Sequence, residues 1–146
     1  MFRLILIVVV FAFSCKSQKN EQQGPVMNED NDLILLLEDA YFPADVPLTM
    51  TVNNQKSLNS FFAKVNTTRK PGIPVPTVDF DKKMVIVVCA GEQKGIESLQ
   101  LLKTNETESR IEIEMILIKN DIGKELTIYP FCVYKLPKTS KTITYK

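Results

Sequence analysis

The 146-residue sequence contains no histidine and no tryptophan. Without histidine, the chain has no Ser-His-Asp triad, no Cys-His nucleophile pair and no His-ligated zinc or haem. Aromatic residues make up only 8% of the chain, which gives little support to an aromatic-lined groove for a glycan or a lipid. These absences exclude the commonest catalytic sites, and we expect no catalytic residue, no metal site and no cofactor.

A substantial net charge is missing as well. Lysine and arginine number 18 and aspartate and glutamate number 17, so that the formal net charge is +1. A nucleic-acid-binding protein has to neutralise phosphates with a basic surface, and this composition therefore predicts no nucleic-acid partner. Long-range steering of a charged partner is not expected either, so recognition has to rely on shape, strand edges or local patches.

The longest apolar run stands at the N terminus. Arg3 is followed by ten apolar residues, from Leu4 to Phe13, without a charge. As a helix these residues would be about 15 Å long, or about half of a ~30 Å hydrocarbon layer, which is typical of a signal peptide and too short for a transmembrane span. We predict that residues 1–14 are a signal peptide that is removed from the mature protein.

The run ends in Ala12-Phe13-Ser14-Cys15, which resembles the lipobox of bacterial lipoproteins, where a small residue precedes a cysteine that receives a diacylglycerol. The resemblance implies lipidation of Cys15, and each buried methylene of the acyl chains, palmitate among them, contributes about 0.8 kcal/mol to membrane attachment. It implies a lipoprotein of the bacterial cell envelope, on the periplasmic or surface face of the outer membrane. A secretory leader with a chance cysteine is the alternative.

The mature chain divides into a tether and one domain. Residues 15–31 contain the anchor and then almost nothing apolar enough to order a backbone, which predicts a disordered tether. Residues 32–146 are sufficient for a single core. We therefore expect one β-rich domain over 32–146.

Most of this domain has the period of β-strands. Met84–Ala90 is apolar on both faces and rich in β-branched residues, which predicts a central strand. Ile111–Ile118 begins with alternation and ends fully apolar, which predicts a strand that passes from half-covered to buried. Further strands are predicted at Leu33–Leu37, Leu48–Val52, Glu97–Lys103, Thr127–Leu136 and Thr142–Tyr145.

One segment has the helical period instead. Its apolar residues at 58, 61, 62 and 65 follow the capping pair Asn53-Asn54 at spacings of three and four. This pattern predicts one helix over Gln55–Val65. The fold class is therefore mainly β (α+β), with an antiparallel sheet packed as a small sandwich or half-barrel and one α-helix.

Two pairs of reactive side chains allow alternative interpretations. Cys89 and Cys132 both lie in predicted strands, where they form either a disulfide or two buried free thiols. A catalytic thiolate is disfavoured because no histidine is present to lower its pKa. Glu112 and Glu114 share one strand face, as a pair for acid-base chemistry or a cation would, but alternation with apolar residues favours a solvated strand face.

Two loops are the candidates for binding a partner. Arg69–Pro76 contains three prolines, which enforce an extended, poorly hydrogen-bonded passage. Gly91–Gly95 follows the predicted central strand as a hairpin connection, and a loop on a buried strand is a rigidly mounted place for binding residues. Such loops and an edge strand can receive or present a peptide through backbone hydrogen bonds. The predicted partner-binding residues are Gly91, Glu92, Gln93, Lys94, Gly95, Arg69, Pro71 and Pro74.

Three further pieces carry a family resemblance. Val78–Phe80 leading into Met84–Cys89, the Gly91–Gly95 loop, and Tyr129–Lys138 together resemble the C-terminal domain of the protease complex subunit PrcB family. The match spans about residues 54–146. The resemblance implies an exported bacterial module without catalysis of its own, in a family named after a member that associates with a secreted protease and is needed for its maturation.

The functional expectation combines these indications. We expect a lipid-anchored, non-catalytic accessory or protein-binding module that is attached to the membrane by its lipid and assists or regulates an exported protease. The alternatives are an envelope hydrolase that uses carboxylates or Cys89, and a lipoprotein that binds a glycan or a lipid.

Overall fold

The structure is a computed structural model, and it describes residues 32–44, 46–120 and 126–146. The predicted signal peptide, Cys15 and the tether lie outside these residues. Among the residues that the structure describes, no helix is long and apolar enough to cross a membrane. The strands are β1 (Ile34–Asp39), β2 (Leu48–Val52), β3 (Lys83–Cys89), β4 (Gln93–Lys94), β5 (Ile96–Glu106), β6 (Arg110–Lys119), β7 (Thr127–Ile128), β8 (Phe131–Pro137) and β9 (Thr142–Tyr145), and the helix is α1 (Gln55–Val65).

The strands form two larger sheets and one short pair. The first sheet is antiparallel with the order β1-β8-β3-β2, and the second has the order β5-β6-β9, with β9 parallel to β6. The short pair joins β4 to β7. The predicted mainly β fold with antiparallel sheets and one helix is confirmed. The predicted strand Thr127–Leu136 is divided into β7 and β8 at Pro130, which has no N–H to donate to a ladder.

The two apolar faces of β3 explain the three layers of the domain. Val85, Val87 and Cys89 pack against α1, whereas the residues that alternate with them pack against the second sheet. The first sheet thus lies between the helix and the second sheet. The central position predicted for this strand is confirmed, since six of its seven residues are buried.

The helix begins and ends where the sequence predicts. The side chain of Asn54 accepts a hydrogen bond of 2.8 Å from Ser57 N and so caps the first turn. The buried face is apolar and packs on the first sheet, where Phe61 stacks on Phe42 at 5.4 Å between ring centres. The residues of this buried face are Leu58, Phe61, Phe62 and Val65.

The burial of β6 is the reverse of the prediction. Ile111 and Ile113, in its alternating half, are buried, whereas Met115, Ile116 and Leu117 are between 36% and 39% exposed. The prediction of a strand that passes from half-covered to buried was wrong. Its neighbour β9 pairs only with the first four residues of β6, so that among the described residues the outer edge of β6 has no strand partner from residue 116 to 119.

The tip of the β5-β6 hairpin is joined to the segment before β9 by charge. Glu106 accepts hydrogen bonds from Lys141 at 2.7 Å and from Lys103 at 2.9 Å. These bonds lower the pKa of Glu106 to about 2. Because all three side chains are partly exposed, salt screens this network.

Candidate functional site

The Gly91–Gly95 loop connects the two sheets and is not a hairpin. β3 pairs in the first sheet and β5 in the second, so the predicted hairpin connection was wrong. Gly91 and Gly95 turn the chain with φ angles of 69° and 66°, which side chains with a Cβ rarely adopt. Gln93 and Lys94 form β4, and Gln93 Nε2 donates to Ala90 O at 2.9 Å. The loop is therefore bonded to β7 and to the end of the central strand.

Two tyrosines join this loop to Arg69. Tyr129 donates from its hydroxyl to Glu92 Oε2 at 3.4 Å, and its ring meets Tyr41 edge to face at 5.9 Å. Arg69 in turn donates to Tyr41 O at 2.7 Å. The structure thus brings Arg69 and the loop to one end of the first sheet. Sequence reasoning missed both tyrosines, because they lie far from the loop along the chain.

The Arg69–Pro76 passage is bonded to its neighbours along its length. Arg69 donates to both carboxylate oxygens of Asp39, at 2.9 and 2.6 Å. The side chain of Asn66 donates to Ile73 O at 2.9 Å and accepts from Ile73 N at 2.7 Å, and Gln55 Nε2 donates to Pro76 O at 3.1 Å. The chain also bends at Lys70 and Pro71. The prediction of an extended, poorly hydrogen-bonded passage was therefore wrong for its first part, and the charge of Arg69 is used inside the fold.

A first groove lies between β2 and β6 and has a volume of about 480 Å³. We call it the sheet-side groove. Its walls carry Leu48 and Thr49 from β2 and the exposed Met115 and Leu117 from β6, and Gln93 of the predicted loop lines its mouth. β2 is an edge strand of the first sheet. Two strand edges that lack a partner among the described residues therefore face one apolar groove.

A second groove, of about 510 Å³, lies on the other face of β2, against α1. We call it the helix-side groove. Leu48 lines both grooves, so the free edge of β2 has a groove on each of its two faces. Neither Pro71 nor Pro74 lines either groove, and of the predicted partner-binding residues only Gln93 does. The remaining residues of the helix-side groove are Phe42, Met50, Asn54, Lys56, Ser57, Ser60, Phe61 and Lys64.

The two cysteines are free and buried, which confirms one of the two interpretations. Cys132 lies opposite Val88, and Cys89 lies opposite Phe131, so the two thiols belong to opposite faces of the first sheet. Their side chains diverge, which a disulfide does not allow. Burial raises the pKa of each thiol to about 12.

The carboxylate pair on β6 is divided between two environments. Glu112 accepts a hydrogen bond of 2.7 Å from Lys146 Nζ, which lowers its pKa, whereas Glu114 is exposed. Within residues 32–44, 46–120 and 126–146, no three Cys, Asp or Glu side chains come together as a metal site would require. The features that remain in this part of the chain are strand edges and grooves.

Comparisons with protein families, with curated proteins and with solved structures found no match to this chain. The resemblance to the PrcB family therefore stays a prediction that rests on the residues quoted above.

Proposed function

We propose that this protein is a lipid-anchored, non-catalytic accessory module of the bacterial cell envelope, which binds another protein by accepting an extended segment of it as an added strand. The observation that carries this proposal is the sheet-side groove, where the exposed apolar end of β6 faces the free edge of β2. In strand addition, backbone hydrogen bonds supply affinity and pockets for alternate side chains supply specificity.

The composition of both edges supports the proposal. Exposed strand edges are normally protected by charged side chains, prolines or bulges, because they would otherwise pair with other chains. β2 has the sequence Leu-Thr-Met-Thr-Val without a charge or a proline, and it pairs regularly with β3 from Leu48 to Val52. On the free edge of β6, Ile116, Leu117 and Ile118 are likewise uncharged, and the first charge is that of Lys119 at the end of the strand. An unprotected edge beside an apolar groove is the kind of surface that a partner covers.

The state of the thiols supports a binding function over the alternative of a hydrolase. A nucleophile has to be ionised and open to its substrate. Cys89 and Cys132 are 2% and 0% exposed, and burial holds the pKa of both near 12. The lack of histidine removes the usual base.

The test is affinity capture of the mature, acylated protein from detergent-solubilised membranes, followed by mass spectrometry. Leu117→Lys places a charge in the sheet-side groove, and Ile116→Lys, at nearly the same exposure, places it on the opposite face of β6. We expect the wild type and Ile116→Lys to capture the same protein and Leu117→Lys to lose it. An exported protease, the partner that the family resemblance implies, is the first protein to look for.

Equal capture by the two variants would remove the sheet-side groove from consideration. A thermal unfolding curve of each variant serves as the control, because both substitutions alter a partly exposed position and are expected to change stability by similar amounts.

A further inference from the structure

The exposed face of α1 carries a row of positive charge beside the edge of β2. Lys56, Ser60 and Lys64 follow one another at intervals of four residues, which places them on one side of the helix. All three are exposed, and all three line the helix-side groove. Neither lysine makes an ion pair with any residue that the structure describes. The charge on this rim is therefore not compensated within the described fold.

Between Asp45 and Asp79 the sequence contains no acid that could neutralise this rim. From Val46 to Val78 the chain contains four basic residues and no acidic one, although the whole chain is nearly neutral. Arg69, one of the four, is bound to Asp39. The local excess of positive charge is thus concentrated on the helix that borders the groove, where it can complement a negatively charged partner.

The floor of the helix-side groove is apolar. Phe42, Met50 and Phe61 line it below the lysines, and Leu48 lines the end that it shares with the sheet-side groove. Such a site suits a side chain with an aliphatic stem and a carboxylate, because the stem covers the floor while the charge reaches the ammonium groups. Glutamate and, at shorter reach, aspartate have this form.

A strand added to β2 would direct alternate side chains into the two grooves, since successive side chains of a strand point to opposite faces. Those on one face would meet Met115 and Leu117, and those on the other would meet Lys56 and Lys64. We propose that the partner segment is an extended peptide in which acidic residues on the helix side alternate with apolar residues on the sheet side. This inference rests on the proposed strand addition and adds the chemistry of the occupant.

The spacing of the two lysines sets the spacing of the acids. Lys56 and Lys64 are eight positions apart in α1, which corresponds to about 12 Å along the helix axis. Two residues on the same face of a strand, four positions apart, are about 13 Å apart. The best partner segment therefore has acidic residues at positions i and i+4, with apolar residues at i−1, i+1, i+3 and i+5.

The experiment uses the mature, acylated protein in detergent micelles and three fluorescent nine-residue peptides. Each peptide has valine at positions 2, 4, 6 and 8 and threonine at positions 1, 5 and 9, and positions 3 and 7 are both Glu, both Gln or both Lys. Fluorescence anisotropy, corrected for binding to empty micelles, gives the affinities. Two ion pairs at the upper end of the usual range for exposed pairs give about a thirtyfold preference for the Glu peptide over the Gln peptide, with the Lys peptide weakest.

The test variant is Lys56→Gln/Lys64→Gln, which removes two exposed positive charges from the groove. The matched control is Lys70→Gln/Lys82→Gln, which removes two exposed positive charges outside it. We expect the first to reduce the affinity of the Glu peptide to that of the Gln peptide, and the second to leave both affinities unchanged. Equal affinities for Glu and Gln peptides, or equal losses in the two double variants, would overturn the acidic occupant.

The outcomes also separate this inference from the proposed function. If Glu and Gln peptides bind equally and Leu117→Lys abolishes both, strand addition stands and only the acidic preference fails. If Leu117→Lys leaves peptide binding unchanged, or if no peptide binds, the strand-addition site itself fails and the inference with it. Dimerisation detected by sedimentation, abolished by Leu48→Lys and competing with the peptide, would assign the edge to a second copy and overturn the inference.

Discussion

Arg69 is the residue whose role changes most between sequence and structure. Its guanidinium binds both oxygens of Asp39 and the carbonyl of Tyr41, and its side chain is only 21% exposed. A bidentate, partly buried ion pair of this kind holds its two side chains in one orientation, which an exposed pair does not. Arg69 therefore holds the proline passage against β1, and the charges that line the helix-side groove are those of Lys56 and Lys64.

The two buried thiols should be protected from thiol reagents in the native protein. Burial raises the pKa of Cys89 and Cys132 from 9.0 to about 12, so about one molecule in ten thousand carries a thiolate at pH 8. We expect a thiol reagent such as Ellman's reagent to leave the native protein unmodified at pH 8 and to count two thiols after unfolding in guanidinium. Rapid reaction of the native protein would contradict the buried positions.

The sign of the pH dependence follows from the same burial. A thiol whose pKa is higher in the folded than in the unfolded state favours folding below pH 9, and this contribution is lost as the pH rises from 9 towards 12. The free energy of unfolding of the wild type should therefore fall more steeply above pH 9 than that of the Cys89→Ala/Cys132→Ala variant, in urea titrations of both proteins.

At the scale of elements, β6 is the strand that differs between its halves. Its first half lies between β5 and β9 and supplies Ile111 and Ile113 to the core shared with the first sheet. Its second half keeps β5 on one side, while its other edge, from residue 116 to 119, has no strand partner in the described ranges. One strand thus contributes to stability at one end and to the proposed binding site at the other.

This division predicts unequal costs of truncation along one strand. Ile113→Ala removes a fully buried side chain and should cost about 2–5 kcal/mol of unfolding free energy. Leu117→Ala removes a side chain that is 39% exposed and should cost about 1 kcal/mol or less. Urea denaturation of the two variants measures both values, and similar losses would mean that the second half of β6 is covered in solution.

For the whole molecule, we propose that the three-layered domain is attached to the membrane through a lipid on Cys15. The helix, the first sheet and the second sheet bury both faces of β3 and leave open the side where β2 and β6 face each other. The predicted tether, residues 15–31, would let this open side reach partners near the bilayer. In this proposal the lipid keeps the module close to the membrane, and the strand edges recognise the partner.

The anchor itself gives a prediction for the intact protein. We expect the protein purified from bacterial membranes to begin at Cys15 and to carry a diacylglycerol on its sulfur, as the lipobox resemblance implies. The acyl chains should then hold the protein at the membrane. Mass spectrometry of the N-terminal peptide measures this, and a chain that begins at Lys16 should partition into the aqueous phase. A native protein that begins at Met1, or has unmodified sulfur at Cys15, would contradict the anchor.

Local patterns in the sequence were enough to predict the class of the fold, the central strand and the helix. The reason is that the burial of β3 and α1 shows as a period within a few residues, and the cap at Asn54 is equally local. Local patterns did not show which strands lie at an edge of a sheet or that the Gly91–Gly95 connection crosses between sheets. They also did not show that Cys89 and Cys132 lie on opposite faces of the first sheet. These features depend on residues that are distant in sequence. The apolar end of β6 has the same residue pattern whether a strand of the same chain covers it or a partner does, so the pattern alone could not predict its exposure.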